Sequence, residues 1–356
     1  MKIKNKLKRK MEIELLEKDE FIPSTITIKA SFNNEIDTEV LSSFLPVKNI
    51  FDNSGQRLKL ISGSRESIKY FGVEEVIVSV CYKQKRRGMR TGAMNNMVSI
   101  DIQVGGKNIH LKVSSTSITS VGTSSIEYAT KVCEIVLKHF RKLQANLNLI
   151  PHLENKDETI ESIRAELSNY DKIPTKSKFI EQFYQKDYTY NNDFFKICLD
   201  YFEDQDDISI FLEKIETLKT DMRLYKDDIQ CTDYNIFNSV YHIKPIKNKN
   251  FRMPLHRLAP YMASLGVNVE YHNWTSEGVN ICFDIEEEKE GENHVNKEYK
   301  HRFTIHETSK IRQCSPTSKE EAFKNYLGVI NLIKKFFTKP EIDFNKYIRN
   351  SLKENE

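Results

Sequence analysis

Alternating hydrophobic and polar positions occur in two separate parts of the chain and predict β-strands in each. Each set contains a short helix after its first strand, at 37–45 with Asp37 as the N-terminal cap and at 254–266 with Gly266 as the stop. The residues "GGK" between two alternating runs indicate a β-hairpin. The predicted strands of the first part are 25–32, 73–82, 97–104, 108–113 and 118–122, and those of the second are 234–243, 267–274, 279–285, 301–307 and 310–314.

A long amphipathic helix follows each set of strands. The first is predicted to begin at a Ser124–Glu127 capping box, and the second at a Thr317–Glu320 box. At a constant offset of 193 residues, six pairs around these helix starts are identical. The shared element order and these identities predict a tandem duplication, with a coincidence of two common strand–helix units as the alternative. The identical pairs are Ile118/Ile311, Ser125/Ser318, Glu127/Glu320, Ala129/Ala322, Lys131/Lys324 and Val136/Val329.

Residues 141–232 have a different pattern, in which Phe, Tyr, Leu and Ile recur at helical spacing. This stretch is acidic and includes "EDQDD" at 203–207, so it is interpreted as an inserted helical module with its own core or as a docking site. The predicted organisation is therefore a basic tail (1–23), a first repeat (24–140), the helical insert (141–232), a second repeat (233–338) and a charged tail (339–356).

Composition limits the functions that the chain can have. Of 356 residues, 39% are hydrophobic and 29% are charged, and the net charge is only +3, so a nucleic-acid face must come from a local concentration of cations. Six widely spaced cysteines without a CxxC pair favour reduced thiols over a zinc site or a disulfide framework. No apolar run is long enough to span a membrane. Nucleotide-binding and hydrolase motifs are absent, which favours a binding protein, and no catalytic residue, metal or cofactor is predicted.

One short stretch concentrates positive charge. Lys83, Lys85, Arg86, Arg87 and Arg90 lie in a predicted loop, 83–96, which has few bulky apolar residues. Cations this close repel one another unless an anion neutralises them. They predict contacts with nucleic-acid phosphates, and the alternative is a solvated loop.

The segments after the two hairpins resemble the TATA-box-binding protein (TBP) family. The resemblance is carried by "LKVSSTSITSVGTSSIEYA" (111–129), by "TIHETSKIRQCSPTSKEEA" (304–322) and by Asn235 in "YNIFNS". It is closest to divergent members encoded by large nucleocytoplasmic DNA viruses. It implies an α+β fold of two tandem repeats, in which curved antiparallel sheets form a pseudo-two-fold saddle with helices on the convex face. It also implies that the concave face binds the minor groove of double-stranded DNA.

The resemblance also implies which residues contact DNA. The Phe of the family hairpin falls on His306 in the second repeat and on Val113 in the first, or on Lys112 if the register shifts by one. Arg312 stands where the family has an apolar residue facing the groove, and Met97 and Val279 are candidates for a second wedge. Weak wedges favour minor-groove or backbone binding over deep kinking. The predicted DNA-binding set is Lys83, Lys85, Arg86, Arg87, Arg90, Val113, Thr119, Val121, Asn235, Asn238, His306, Lys310 and Arg312.

Two functions follow from these expectations. The first is a DNA-binding transcription initiation factor that contacts promoter DNA, including A·T-rich promoters, and recruits RNA polymerase-associated factors through its helices. The alternative is a protein-interaction scaffold in a viral transcription or packaging assembly, which does not bend DNA. Either function places the protein inside the cell, in a cytoplasmic viral factory or the nucleus, with packaging in the virion as a further option.

Overall fold

The computed structural model describes residues 13–48, 75–83, 85–88, 97–186, 192–202, 207–218, 222–247, 251–271, 278–284, 300–315, 318–340 and 342. The chain divides into two compact units, a first unit of residues 28–235 and a second unit of residues 1–27 and 236–356. Helices and antiparallel strands occur in both, which confirms the α+β class.

The first unit has an antiparallel sheet with the strand order β3-β2-β4-β5-β6-β1. Turn residues Gly105 and Gly106 join β4 to β5 with positive φ angles of 59° and 70°, as the predicted hairpin requires. A strand also forms at 85–88, where the sequence predicts a loop. The strands are β1 (Thr25–Phe32), β2 (Val76–Tyr82), β3 (Lys85–Gly88), β4 (Val98–Val104), β5 (Lys107–Val113) and β6 (Ser117–Thr123).

Helices pack on one face of this sheet. Their buried residues and those of the strands form a single hydrophobic cluster, which includes Val136 and Phe140 of the long helix and Ile100 and Leu111 of the sheet. The helices are α1 (Thr38–Phe44), α2 (Ile126–Leu149), α3 (Lys156–Leu167), α4 (Lys176–Lys186), α5 (Asp193–Tyr201) and α6 (Asp207–Glu216), with a 3-10 turn at Ile150–His152.

The described residues of the helical segment 141–232 share the hydrophobic core of the first unit. Helix α2 passes through the predicted boundary at 140/141 and continues to Leu149. The Tyr201 hydroxyl of α5 donates a hydrogen bond to the Phe44 carbonyl of α1, and its ring stacks on Phe211 at 3.8 Å between centroids. The aromatic residues predicted for the insert therefore belong to the core of the first unit.

The second unit has an antiparallel sheet of order β7-β11-β10-β9-β8, with a short helix after its first strand and a long helix after its last, as in the first unit. No counterpart of β3 or of α3 to α6 occurs among its described residues. Its core joins Phe303 and Ile305 of the sheet to Leu258 of one helix and Val329 and Ile330 of the other. The elements are β7 (Cys231–Ile243, which enters the second unit at Ile236), α7 (Leu255–Ser264), β8 (Asn268–Glu270), β9 (Gly278–Asp284), β10 (Lys300–His306), β11 (Ile311–Ser315) and α8 (Lys319–Phe337).

The segment from Ile13 to Ile22, predicted to be part of a tail, packs into the second unit. Phe21 is 1% exposed and stacks on Tyr241, with 4.1 Å between ring centroids. The backbone N–H of Leu16 donates to the Tyr326 hydroxyl at 3.2 Å. Residues 13–22 are therefore part of the fold, while residues 1–12 lie outside the described part of the chain.

The two long helices begin one residue later than the predicted capping boxes. Ser125 caps α2 by accepting a hydrogen bond from the Tyr128 N–H, and Ser318 caps α8 in the same way through Glu321. These caps are an identical pair at the offset of 193 residues, and both Ala129 and Ala322, one turn further on, are fully buried.

Replacing Ser125 by alanine is expected to lower the free energy of unfolding by about 1 kcal/mol, because one helix N–H loses its partner. Replacing the exposed neighbour Ser124 by alanine is the matched control and is expected to change it by less than about 0.5 kcal/mol. Urea unfolding measures both variants. Equal effects at the two serines would contradict the observed cap.

Stability of the second unit is expected to fall in acid because of His301. Burial is the main cause that lowers the pKa of His301 below its ordinary value of 6.5, while the Glu321 carboxylate acts in the opposite direction. The unfolded chain therefore takes up this proton more readily, and stability is lost as the pH falls through the unfolded-state pKa. The urea midpoint should fall between a pH of about 7.5 and about 5.5. The decrease in the urea midpoint should be smaller in the His301→Gln variant. An equal decrease in this variant would show that other titrating groups, and not His301, cause it.

Candidate nucleic-acid interface

The sheet of the second unit has one apolar and one polar face. Phe303, Ile305 and Ile311 point into the core against α7 and α8, so the alternate residues of the same strands point the other way. The register places Arg312 between His242 on β7 and Thr304 on β10. Thr304 in turn pairs with Asn280 on β9, and their side chains hydrogen-bond at 2.8 Å. We call the surface formed by His242, Asn280, Arg302, Thr304, Arg312 and Cys314 the polar face of the second unit.

Positive charge on this polar face is exposed and lacks an acidic partner. Arg302 and Arg312 are both exposed, and neither forms an ion pair or side-chain hydrogen bond with any residue that the structure describes. Exposed Lys310 lies in the turn that precedes β11, and half-buried His306 ends β10. The exposed Glu270, opposite Asn280 on the edge strand β8, brings a negative charge to the side of this surface. The centre of the polar face is therefore a basic, hydrogen-bonding surface suited to phosphate.

The corresponding face of the first unit is partly buried. Ser99, Asp101 and Gln103 on β4 are each no more than 3% exposed, as is Ser79 on β2. The Ser79 hydroxyl donates to Asp101 Oδ2 at 2.5 Å, and His110 Nδ1 lies 3.1 Å from Asp101 Oδ1. An acidic group thus occupies the middle of this face, where a nucleic acid would be repelled.

Nearer to β6 and β1, the same face becomes more accessible. Lys112 pairs with Thr119, and His110 pairs with Val121, and all four side chains are half-buried. Lys29 on β1 is exposed. Thr119 and Val121, both predicted as site residues, therefore lie on an accessible part of the sheet.

Two predicted basic residues turn towards α1 instead. Lys83 has a positive φ of 45° and forms an ion pair with Glu39. The Arg87 guanidinium donates a hydrogen bond to the Leu45 carbonyl at the end of α1. Lys83 and Arg87 therefore both have partners within the first unit, and their role as phosphate contacts stays a prediction.

The other members of the basic cluster are Lys85, Arg86 and Arg90. Lys85 is exposed on β3, and the register pairs Arg86 with Cys81. Arg90 lies outside the described residues.

Two of the candidate wedge positions lie in the hydrophobic cores. Val113 is fully buried opposite Val98 and Ile118, in the core of the first unit. Val279 is fully buried in the core of the second. Neither can reach a ligand on the polar side. The alternative register, with Lys112 rather than Val113 on that side, is the one observed.

Both predicted asparagines lie on β7. Asn235 is exposed, and its side-chain amide donates to the Asp233 carbonyl at 2.9 Å. Asp233 has a positive φ of 52°, so the strand is irregular there. Asn238 is half-buried.

Sequence reasoning missed several residues at these surfaces. Arg302 and His242 lie beside the predicted Arg312 on the polar face. Alternation in "HRFTIH" places Arg302, Thr304 and His306 on one side, so the signal for Arg302 was present in the pattern. Ile236 and Phe237 are 43% and 52% exposed on β7, which alternation alone does not explain.

No family model matches the chain, and no curated protein matches it. A solved structure described as Methanococcus jannaschii TBP matches 88% of this chain and 98% of its own, with 10% sequence identity and a TM-score of 0.34. A match at this level transfers no function to the chain.

The described residues contain neither a membrane-spanning helix nor a group of metal ligands. None of their helices has both the length and the apolar character that a membrane span requires. No group of three or more His, Cys, Asp or Glu side chains in the same part of the chain is arranged to hold a metal ion.

Proposed function

We propose that the protein is a DNA-binding, TBP-like transcription initiation factor whose main contact with the duplex is the polar face of the second unit. The observation that carries this proposal is the pair Arg302 and Arg312, which are exposed beside His242 and Thr304 on one sheet surface and form no ion pair with any described residue. Guanidinium groups without an internal acid are available to phosphate oxygens or to a narrow minor groove.

The residues on this face favour backbone contact over base intercalation. Its side chains are polar or charged, and the predicted wedges Val113 and Val279 are buried in the cores. Phosphate contacts fix a protein on the duplex but carry little sequence information. The proposed factor therefore binds DNA with weak sequence preference and strong dependence on salt.

The proposal gives the first unit a second contact with the duplex, through Lys112, Thr119 and Val121 on the accessible part of its sheet. Both units have a short helix after the first strand and a long helix after the last, and Ser125 and Ser318 cap the two long helices in the same way. These features support an origin by tandem duplication.

The helices contribute the surface for polymerase-associated factors, and Leu149 of α2 and Ile210 of α6, 41% and 43% exposed, are apolar positions suited to such contacts. From the family resemblance alone, we propose a role in viral transcription inside the host cell, in cytoplasmic factories or the nucleus.

A titration of the full-length protein on labelled duplexes tests this function. Fluorescence anisotropy is measured with A·T-rich and random-sequence duplexes at about 50 mM and about 250 mM salt. The expected result is binding to both duplexes at low salt, with a large loss of affinity at high salt. Absence of binding to either duplex at low salt would end the proposal.

A protein-interaction scaffold is the second candidate function. It is favoured by the burial of Ser79, Ser99, Asp101 and Gln103, because this part of the first unit presents an internal carboxylate rather than a basic surface. A protein that binds no duplex but co-purifies stoichiometrically with a transcription or packaging complex would support it.

A further inference from the structure

A cleft in the first unit lies between helix α2, strand β2 and the segment that follows α1. Its volume is about 190 Å³. The apolar lining comes from three elements, with Pro46 and Val47 after α1, Val76 and Ile77 on β2, and Leu143 on α2. Val47, Ile77 and Leu143 are buried, while Pro46 and Val76 are half-buried. An apolar molecule that entered the cleft would therefore exchange water for an apolar surface.

Hydrogen bonds hold the walls of this cleft in place. The Lys48 backbone N–H donates to the Ile77 carbonyl at 2.7 Å, which ties the segment after α1 to β2. Glu75, just before β2, has a positive φ of 55°, and its carbonyl oxygen lies 2.7 Å from Nε2 of His139 on α2. The cleft is therefore formed before a ligand arrives, so that binding does not have to order the chain.

His139, which also lines the cleft, provides a hydrogen-bond acceptor. A carbonyl oxygen can only accept, so the Nε2 atom that faces Glu75 carries the ring hydrogen. Burial is the main cause that lowers the pKa of His139 below its ordinary value of 6.5, while the hydrogen bond to Glu75 acts in the opposite direction. The ring is therefore neutral at neutral pH, and its Nδ1 keeps a lone pair. No described residue donates a hydrogen bond to this Nδ1.

The charged residues of the lining do not select an ion. The Lys142 ammonium donates to Asp200 Oδ2 at 2.6 Å, so these two charges neutralise each other. Lys48 is the remaining charged residue of the lining, and an anion that approached it would also meet the lone pair of His139 and the Asp200 carboxylate. Apolar walls disfavour an ion that lacks its own counter-charge, so the cleft is suited to a neutral ligand.

We propose that the cleft binds a small neutral aromatic molecule that has one N–H or O–H donor. Its ring lies against Val47, Val76 and Leu143, and its donor forms a hydrogen bond with His139 Nδ1. An apolar cavity of about 150 Å³ accepts one benzene ring, so the volume of this cleft is suited to a molecule of the size of phenol or indole. The ligand joins the segment after α1 and strand β2 to helix α2, all within the first unit.

Methyl NMR of the full-length protein, labelled at Ile, Leu and Val, tests this proposal. Indole is the probe, and 1-methylindole, which lacks the N–H donor, is its matched control. Indole should shift the methyl signals of Val47, Val76 and Leu143 and saturate with a dissociation constant on the order of 1 mM. 1-Methylindole should bind about fivefold more weakly, the usual effect of one neutral hydrogen bond. The methyl signals of Val329 and Ile330 in the core of the second unit should not shift.

Variants separate the hydrogen bond from the shape of the cleft. In His139→Phe, indole and 1-methylindole should bind equally, because the acceptor is gone. His152→Phe, at an exposed histidine outside the cleft, should keep the fivefold difference. Val76→Phe fills the cleft and should abolish the binding of both ligands. The comparison of the two ligands on the wild type needs no variant, so it remains decisive if His139→Phe does not fold.

Several outcomes would overturn this assignment of the cleft. They are the absence of a saturable shift with indole, equal affinity of the wild type for indole and 1-methylindole, and a fivefold difference that persists in His139→Phe. Tighter binding of benzoate than of indole would show that the lining selects an anion instead of a neutral donor.

Discussion

Replacing Phe21 by alanine will destabilise the second unit by about 3–5 kcal/mol, the usual cost of removing a fully buried phenylalanine side chain. The ring is 1% exposed and stacks on Tyr241, with Tyr326 at 5.3 Å and Phe323 at 5.4 Å between centroids. Its removal leaves a cavity that three aromatic rings cannot fill without moving. Urea unfolding followed by circular dichroism measures the loss.

The neighbouring Ile22 is a close control, because it is 69% exposed and equally apolar. Ile22→Ala should change the free energy of unfolding by less than about 0.5 kcal/mol. If Phe21→Ala were as mild as Ile22→Ala, residues 13–22 would be a tail after all.

Changing both Arg302 and Arg312 to alanine will weaken binding to duplex DNA and reduce its dependence on salt. Each phosphate contact that is lost lowers the slope of log K against log salt by about 0.9, so two lost contacts lower it by about 1.8. Because phosphate contacts are independent of sequence, A·T-rich and random duplexes should lose affinity to a similar extent. Anisotropy titrations over a series of salt concentrations measure the slope.

The control for this variant removes the same charge from the opposite side of the second unit. Lys324 and Lys335 are exposed on α8, whose buried residues face the core side of the sheet. Lys324→Ala/Lys335→Ala should leave the salt slope close to that of the wild type. Equal losses in the two double variants would mean that net charge, rather than the polar face, determines binding.

Local patterns predicted most of the elements and much of the polar face. Strand alternation predicted β1 with its observed bounds, Thr25–Phe32. It also predicted that Thr304 and Arg312 lie on strands, and they lie on β10 and β11. The predicted capping boxes begin at Ser124 and Thr317, one residue before the observed caps Ser125 and Ser318. The two observed caps are themselves an identical pair at the offset of 193 residues, so the sequence contained a signal for the correct positions.

The sequence did not fix the strand register, because a shift of one residue moves a side chain to the opposite face of the sheet. It therefore left Val113 and Lys112 as alternatives for the same position, and the observed register places Lys112 on the polar side.

Features that depend on distant parts of the chain could not be predicted. Phe21 is buried only because Tyr241 and Tyr326 lie next to it, although they are far away in sequence. The basic cluster illustrates the same limit, because Arg87 is held by the Leu45 carbonyl at the end of α1. Charge density indicates where cations occur, but it does not show which of them the fold itself uses.

The most direct test of the central claim is site-specific photo-crosslinking of the full-length protein to a DNA duplex. A photoreactive amino acid is placed at Thr304, in the middle of the polar face, and in a second variant at Lys335 on α8. We predict a crosslink to DNA from position 304 that weakens as salt is raised, and none from position 335. A crosslink from position 335 with none from position 304 would contradict the assignment of the polar face as the surface that binds DNA.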